Sequence, residues 1–222
     1  MFHLCHSCWN TYKRTNNWNE TTYEYCKTTI CTKPLIRFIN ATVIMSDSTL
    51  IDWVGKLELQ GNKDKIIEML KYMDPSISDI CTISMDGRVQ LYIRSGKNLI
   101  PLKLAGDGVN KLLYIILAII ESPNSVILID EVETAIHKKY YDDIFSFIIK
   151  ACQAFDVQLF ITTHSLEAID GLLSTQKYDE QNDYDSINVI TLKRNDGNTY
   201  ARVLSGREVA NNRGEFGFEV RL

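Results

Sequence analysis

The sequence predicts an α/β fold in which helices flank a parallel sheet and a small antiparallel meander lies beside it. Three observations carry that prediction. Two apolar runs, "SVILID" at 125–130 and "VQLFITTH" at 157–164, are too short for helices and read as buried strands, the first covered on both faces. Helical patterns follow each of them, and strand–helix–strand–helix–strand order is the mark of a wound parallel sheet. Upstream, the segments "DICTISM", "RVQLYIR" and "LIPLKL" are joined by turns at Asp86-Gly87 and Ser95-Gly96, so their sheet reads as antiparallel.

The elements follow in chain order. Residues 1–45 are rich in Thr, Asn, Tyr and Cys and hold no sustained period of 2 or 3.6, so they read as an irregular, Cys-rich N-terminal segment. Cys5, Cys8, Cys26 and Cys31 form a C-x2-C…C-x4-C arrangement there, with His3 and His6 alongside. Tetrahedral zinc takes four such ligands. The wide second pair and the lack of a glycine knuckle favour reduced, unliganded thiols over zinc. Cys81 and Cys152 sit in apolar segments and read as small buried hydrophobes.

Residues 46–222 read as one unit. Thr49 followed by Asp52 gives a capping-box start to a first helix, and "KDKIIEMLKYM" gives a second that stops at Asp74-Pro75. After the meander, "AGDGVNKLLYIILAIIESP" reads as a glycine loop entering a buried helix, with Lys111 and Glu121 bounding its apolar run. Beyond His137, the residues Tyr141, Ile144, Phe145, Ile148, Ile149 and Cys152 make a one-faced amphipathic helix. Ser165 caps "LEAIDGLL", and Glu167 in its first turn suits the helix dipole. The polar loop "TQKYDEQNDYDS" leads to strands "INVITL" and "TYARVL" around Asp196-Gly197.

Composition bounds the function. With 222 residues, 45% of them hydrophobic, the chain is large enough for a substantial core. A net charge of −4 gives no general attraction to nucleic acid or anionic membranes. The longest apolar run, Leu112 to Ile120, is well short of the roughly 18 residues a membrane span needs. The first residues lack the apolar block of a secretory signal, so a cytoplasmic protein without membrane association is expected.

The chemistry gathers at strand ends. In open parallel sheets, ligands sit beyond the carboxyl ends of the strands. Two predicted strands deliver Asp130 and Glu131, and Thr162, Thr163 and His164, to such ends. An aspartate there is a hard-oxygen ligand for magnesium, and a glutamate one residue on can polarise an attacking water.

Three segments carry a family resemblance. "VILIDEVETAIHK" resembles the Walker B and D-loop segment of ABC-type P-loop ATPases, in the branch holding the AAA-type and OLD-like (overcoming lysogenisation defect) proteins. "FITTHS" resembles the switch-histidine strand of that branch, and "LAGDGVNKLL" its signature loop. The resemblance covers roughly residues 49 to 222. It implies that Asp130 holds magnesium, that Glu131 is the catalytic base acting on water, and that His164 contacts the γ-phosphate of ATP. It implies also that His137 faces a second subunit, and that Gly106, Asp107 and Gly108 open a helix whose N–H groups receive the partner's nucleotide. Gly106 replaces the transporter serine and Asp107 adds a negative charge, which weakens the expected phosphate contact.

One part is missing from the sequence. No Gly-x4-Gly-Lys-Ser/Thr motif occurs; the Gly-Lys pairs at 55–56 and 96–97 lack both the preceding glycine and the following hydroxyl. The resemblance therefore implies the C-terminal half of an incomplete P-loop ATPase domain, dependent on a Walker A half from elsewhere or on a homodimer partner. Nucleic acid enters as a partner only by analogy with the family. An unpaired sheet edge and self-association are expected. A non-catalytic interaction module is the alternative function. A metal-dependent hydrolase built on Asp130, Glu131, Glu133 and His137 ranks below both.

Overall fold

Pairing of three short strands builds the sheet that positions the site. The computed structural model describes residues 34–41, 47–176, 186–195 and 198–216. Strand β1 (Ile36–Ile39), β5 (Val126–Ile129) and β6 (Gln158–Ile161) form a parallel sheet in the order β1-β5-β6. The register is fixed across all three, with Phe38 beside Leu128 and Leu128 beside Phe160. A second sheet is the meander β2 (Ile77–Met85), β3 (Arg88–Ser95) and β4 (Asn98–Pro101), antiparallel throughout. A third is the hairpin β7 (Asn188–Asn195) and β8 (Asn198–Ser205).

Helices α1 (Asp47–Leu59), α2 (Lys63–Met73), α3 (Asp107–Ile120) and α4 (Tyr141–Ala154) share one core with Ile39, Ile127 and Ile129 of the parallel sheet, and α1 and α2 also pack on the meander. α3 lies at the centre, and Leu112, Leu113 and Ile115 to Ile119 are fully buried. That is the behaviour of a helix apolar on every side. Arg37 lies over Trp53 of α1 at 4.9 Å, and Trp53 stacks on Tyr114 of α3, which ties β1 to both helices. Helix α5 (Leu166–Leu173) packs on α4 so closely that a Cβ on Gly171 would meet Tyr141 and Phe145. A smaller cluster around Leu173 and Val209 joins α5, the hairpin and α6 (Gly206–Phe216).

Several expectations change. The stretch 36–39 lies in the segment that sequence left irregular, yet it is a strand. Four residues are too few to show a period, and non-local pairing with β5 decides the matter. "INVITL" pairs only with β8 and does not join the parallel sheet among the described residues. The strand 126–129 is buried at Val126, Ile127 and Ile129 and half-buried at Leu128, whereas Phe38 and Phe160, beside Leu128 on the flanking strands, are exposed. Helix α1 begins at Asp47, ahead of Thr49, because several neighbouring residues are competent caps and pattern does not rank them. Strand β4 ends at Pro101, and Leu102–Leu104 turn as a 3-10 helix. Cys152 is buried, with its thiol pushed up to about 12 by desolvation, and Cys81 is half-buried. The cysteine cluster Cys5, Cys8, Cys26 and Cys31 lies outside the described residues.

Candidate functional site

The carboxyl ends of β5 and β6 are adjacent, and their polar residues bond across the gap. Thr162 Oγ1 donates to Asp130 Oδ1 at 2.6 Å and accepts from the Glu131 backbone N–H at 2.9 Å. One hydroxyl thus orients both acids. The Val132 N–H donates to the Thr162 carbonyl and the Thr162 N–H to the Ile129 carbonyl, continuing the ladder past the strand ends. Glu133 Oε1 accepts from the His164 backbone N–H at 2.8 Å. The Glu131 carboxylate accepts a longer bond, 3.3 Å, from the Thr134 hydroxyl.

The backbone here is strained. Glu131 has φ of 44° and Ala135 φ of 66°, left-handed values that non-glycine residues adopt at a cost of about 1–3 kcal/mol each. Two contacts from α3 support this segment. Lys111, only 4% exposed, donates from Nζ to the Glu131 carbonyl at 2.6 Å. A Cβ built on Gly108 would lie 2.4 Å from the Ala135 carbonyl oxygen, so only glycine allows this approach. Burial pushes the Lys111 ammonium below its usual pKa, while the carboxylates of Glu133, Glu131 and Asp130 oppose the shift.

The structure therefore brings Asp130, Glu131 and His164 to one rim. Gly106, Asp107 and Gly108 form the start of α3, where Gly106 takes φ of 96° and its carbonyl accepts from the Asn110 side chain. Gly108 touches the segment that carries the acids. His137 is exposed and caps the 3-10 turn 138–140, its Nδ1 accepting from the Lys139 N–H at 3.2 Å. Ser165 caps α5, accepting from the Ala168 N–H. Sequence reasoning missed Lys111, which it took as the polar boundary of an apolar helix. The available signal was a lysine one turn after Gly108, on the same helix face as the apolar run it precedes. Among the described residues no group of three or more His, Cys, Asp or Glu side chains is placed to hold a metal ion. Zinc has no support there. Magnesium needs less from a protein, because one carboxylate, waters and phosphate oxygens complete its shell, so Asp130 fits that role.

The chain is similar to known proteins over much of its length. The family profile described as "AAA domain, putative AbiEii toxin, Type IV TA system" matches residues 20–170. An ATP/GTP phosphatase of Helicobacter pylori is 29% identical over 149 residues, covering 62% of this chain. The chain spans about two fifths of that protein, 40% of its length. Among solved structures, one reported for ATP-driven dimerization and DNA-stimulated activation of SMC ATPases aligns with a TM-score of 0.50 at 11% identity. That alignment covers 75% of this chain and 98% of the other. An SMC head bound to the C-terminal winged-helix domain of ScpA also gives 0.50, at 14% identity, covering 72% of this chain and 51% of that one. These likenesses establish the P-loop NTPase fold. No described helix is long and apolar enough to cross a membrane.

Proposed function

The chain belongs to the AAA-domain family matched above, within the P-loop, ABC-type ATPases, and from that premise we propose that it is an ATP-binding and ATP-hydrolysing module. Its phosphate-binding loop comes from outside these 222 residues, on the same polypeptide or another. The observation that carries the proposal is the meeting of Asp130, Glu131, Thr162 and His164 at the ends of adjacent parallel strands.

In this reading Asp130, fixed through Oδ1 by Thr162, is the Walker B aspartate. Bound magnesium would neutralise charge on the nucleotide phosphates. Glu131 orients the attacking water and holds its proton, and its contact to Thr134 is the one it gives up to do so. His164 reaches the γ-phosphate with its exposed imidazole while Glu133 holds its backbone. The start of α3 at Gly106, Asp107 and Gly108, together with His137, faces a second ATPase unit, whose nucleotide meets the free N–H groups of the helix. The SMC structure reported for ATP-driven dimerization supports such a pairing.

Two features support an external Walker A half. No described strand pairs with the outer edge of β6, and Ile36, Phe38 and Phe160 leave large apolar side chains exposed on one face of the sheet. A parallel strand joined to a helix would complete both. The test is to add a segment bearing Gly-x4-Gly-Lys-Ser/Thr and measure ATP turnover. Turnover is expected only in the mixture, with Glu131→Gln lowering it by at least roughly 100-fold. Turnover by the chain alone that Glu131→Gln abolishes would overturn the dependence. The same bare face favours a second reading, a non-catalytic interaction module. In that case the added segment binds and no turnover appears.

A further inference from the structure

We propose that Lys111 and Glu133 are positioning residues that hold helix α3 and both strand ends of the rim as one unit. Lys111 fixes the backbone of Glu131 from the α3 side, and Glu133 fixes the backbone of His164. The functional consequence rests on the ATPase reading; the mechanical coupling does not.

The argument starts from where Lys111 lies. Lys111 is 4% exposed as a residue; an ammonium on so buried a side chain is costly unless it is paired, and an apolar side chain of similar length would fill the same space. Packing alone therefore does not account for a lysine. Its Nζ donates at 2.6 Å to the carbonyl of Glu131, the residue whose φ of 44° the chain does not adopt readily. An ammonium has three donors, and this bond uses one of them. Of the carboxylates around it, Glu133 exerts the strongest pull, ahead of Glu131 and Asp130.

Glu133 has the complementary problem. Its Oε1 accepts from the His164 N–H at 2.8 Å. Its Oε2 is buried and has no hydrogen-bond partner. The positive charge of Lys111 attracts this carboxylate and offsets part of the cost of burying it. Each residue thus offsets the other's burial, and each has one bond to the backbone of a residue assigned to phosphate chemistry. Gly108, one turn before Lys111, touches the Ala135 carbonyl of the same segment. A shift of the α3 start is then transmitted to Glu131 directly and to His164 through Glu133.

Hydrogen–deuterium exchange on the full chain tests this without relying on turnover. Lys111→Met is expected to speed exchange of amides 131–136 and 163–166 by about 10-fold or more, the size of effect seen when supporting residues of a site are removed. The meander, residues 77–101, keeps its protection. Lys111→Arg, which retains a buried donor and charge, is expected to restore much of it. Glu133→Gln reproduces the change at 163–166 and adds little in the double variant. Wild-type exchange at both segments in Lys111→Met overturns the proposal, as does equal acceleration across the meander. Should Lys111→Met fail to fold, Glu133→Gln decides alone: faster exchange at 163–166 with the meander unchanged supports the coupling, and any other pattern overturns it. In the mixture with a Walker A segment, Lys111→Met lowers kcat about 10-fold with KM nearly unchanged. Absence of turnover in the wild-type mixture would sink the ATPase reading and leave the exchange result standing.

Discussion

The two faces of the parallel sheet are made from the same strands and similar residues, yet they differ sharply. On the helix-covered face Ile39, Ile127 and Ile129 are at most 1% exposed. On the other face Ile36 is 59%, Phe38 62% and Phe160 40% exposed. The antiparallel meander shows that a wet face is not in itself a defect, since β2 buries Ile77 and Ile80 and leaves Ser78, Thr82, Ser84 and Met85 exposed. A parallel sheet is different, because its crossovers normally cover both faces. The exposed row at Phe38 and Phe160 is therefore a surface prepared for a further layer, next to the strand edge where a further strand would pair.

Truncation on the two faces should break the symmetry of the sequence. Ile127→Ala is expected to cost about 2–5 kcal/mol in urea unfolding, as for other buried aliphatic truncations. Phe38→Ser should change stability by no more than about 0.5 kcal/mol, as surface substitutions do. Equal costs on the two faces would show that the bare face is covered in solution. Phe38→Ser combined with Phe160→Ser should also reduce self-association measured by light scattering, and should weaken complementation by a Walker A segment.

Glycine substitutions sharpen the comparison on the covered side. Gly108→Ala would put a methyl 2.4 Å from the Ala135 carbonyl oxygen and 2.8 Å from Met73 Cε. The cost expected is about 1–3 kcal/mol, with displacement of the acid-bearing segment. Gly55 in α1 has nothing within 4 Å of its added Cβ. Gly55→Ala should instead stabilise by about 0.4–1 kcal/mol. Thermal melts of the pair check both signs.

Much of this was legible in the sequence. The apolar run 126–129 ending in Asp130 and Glu131 marked a strand and its tip, because a central strand paired on both edges and buried along most of its length needs no alternation. Ser165 as a cap and the pairing of β7 with β8 followed from local chemistry. Strand β1 was not legible, since residues 36–39 owe their form to pairing with a segment some 90 residues away. Lys111 was misread because a charged residue at a helix boundary usually marks exposure. Its burial depends on a carbonyl and a carboxylate that only the fold brings near. The bond between Thr162 and Asp130 was likewise invisible, although both residues were placed at the correct end of the sheet.

The smallest expected effect lies in the meander, where local bonds replace layered burial. Asp74 ends α2 and accepts from the Ser76 hydroxyl at 2.6 Å, from the Ser76 N–H at 2.9 Å and from the Ser95 hydroxyl at 3.3 Å. The Ser76 hydroxyl, then its N–H, hold this carboxyl below its usual value of 3.8. A carboxyl depressed on folding contributes stability that is fully present above its unfolded pKa and is lost as pH falls through the folded one. Asp74→Asn should therefore lower the melting temperature slightly at pH 6, and the effect should shrink as pH falls below 3.8 through the depressed folded pKa, where the wild-type carboxyl becomes protonated. Because these partners lie within one turn and one strand end, the loss should leave the parallel sheet and its rim untouched. An acid-independent loss, or one that spreads to the exchange of residues 131–136, would mean that the meander and the rim are one cooperative unit.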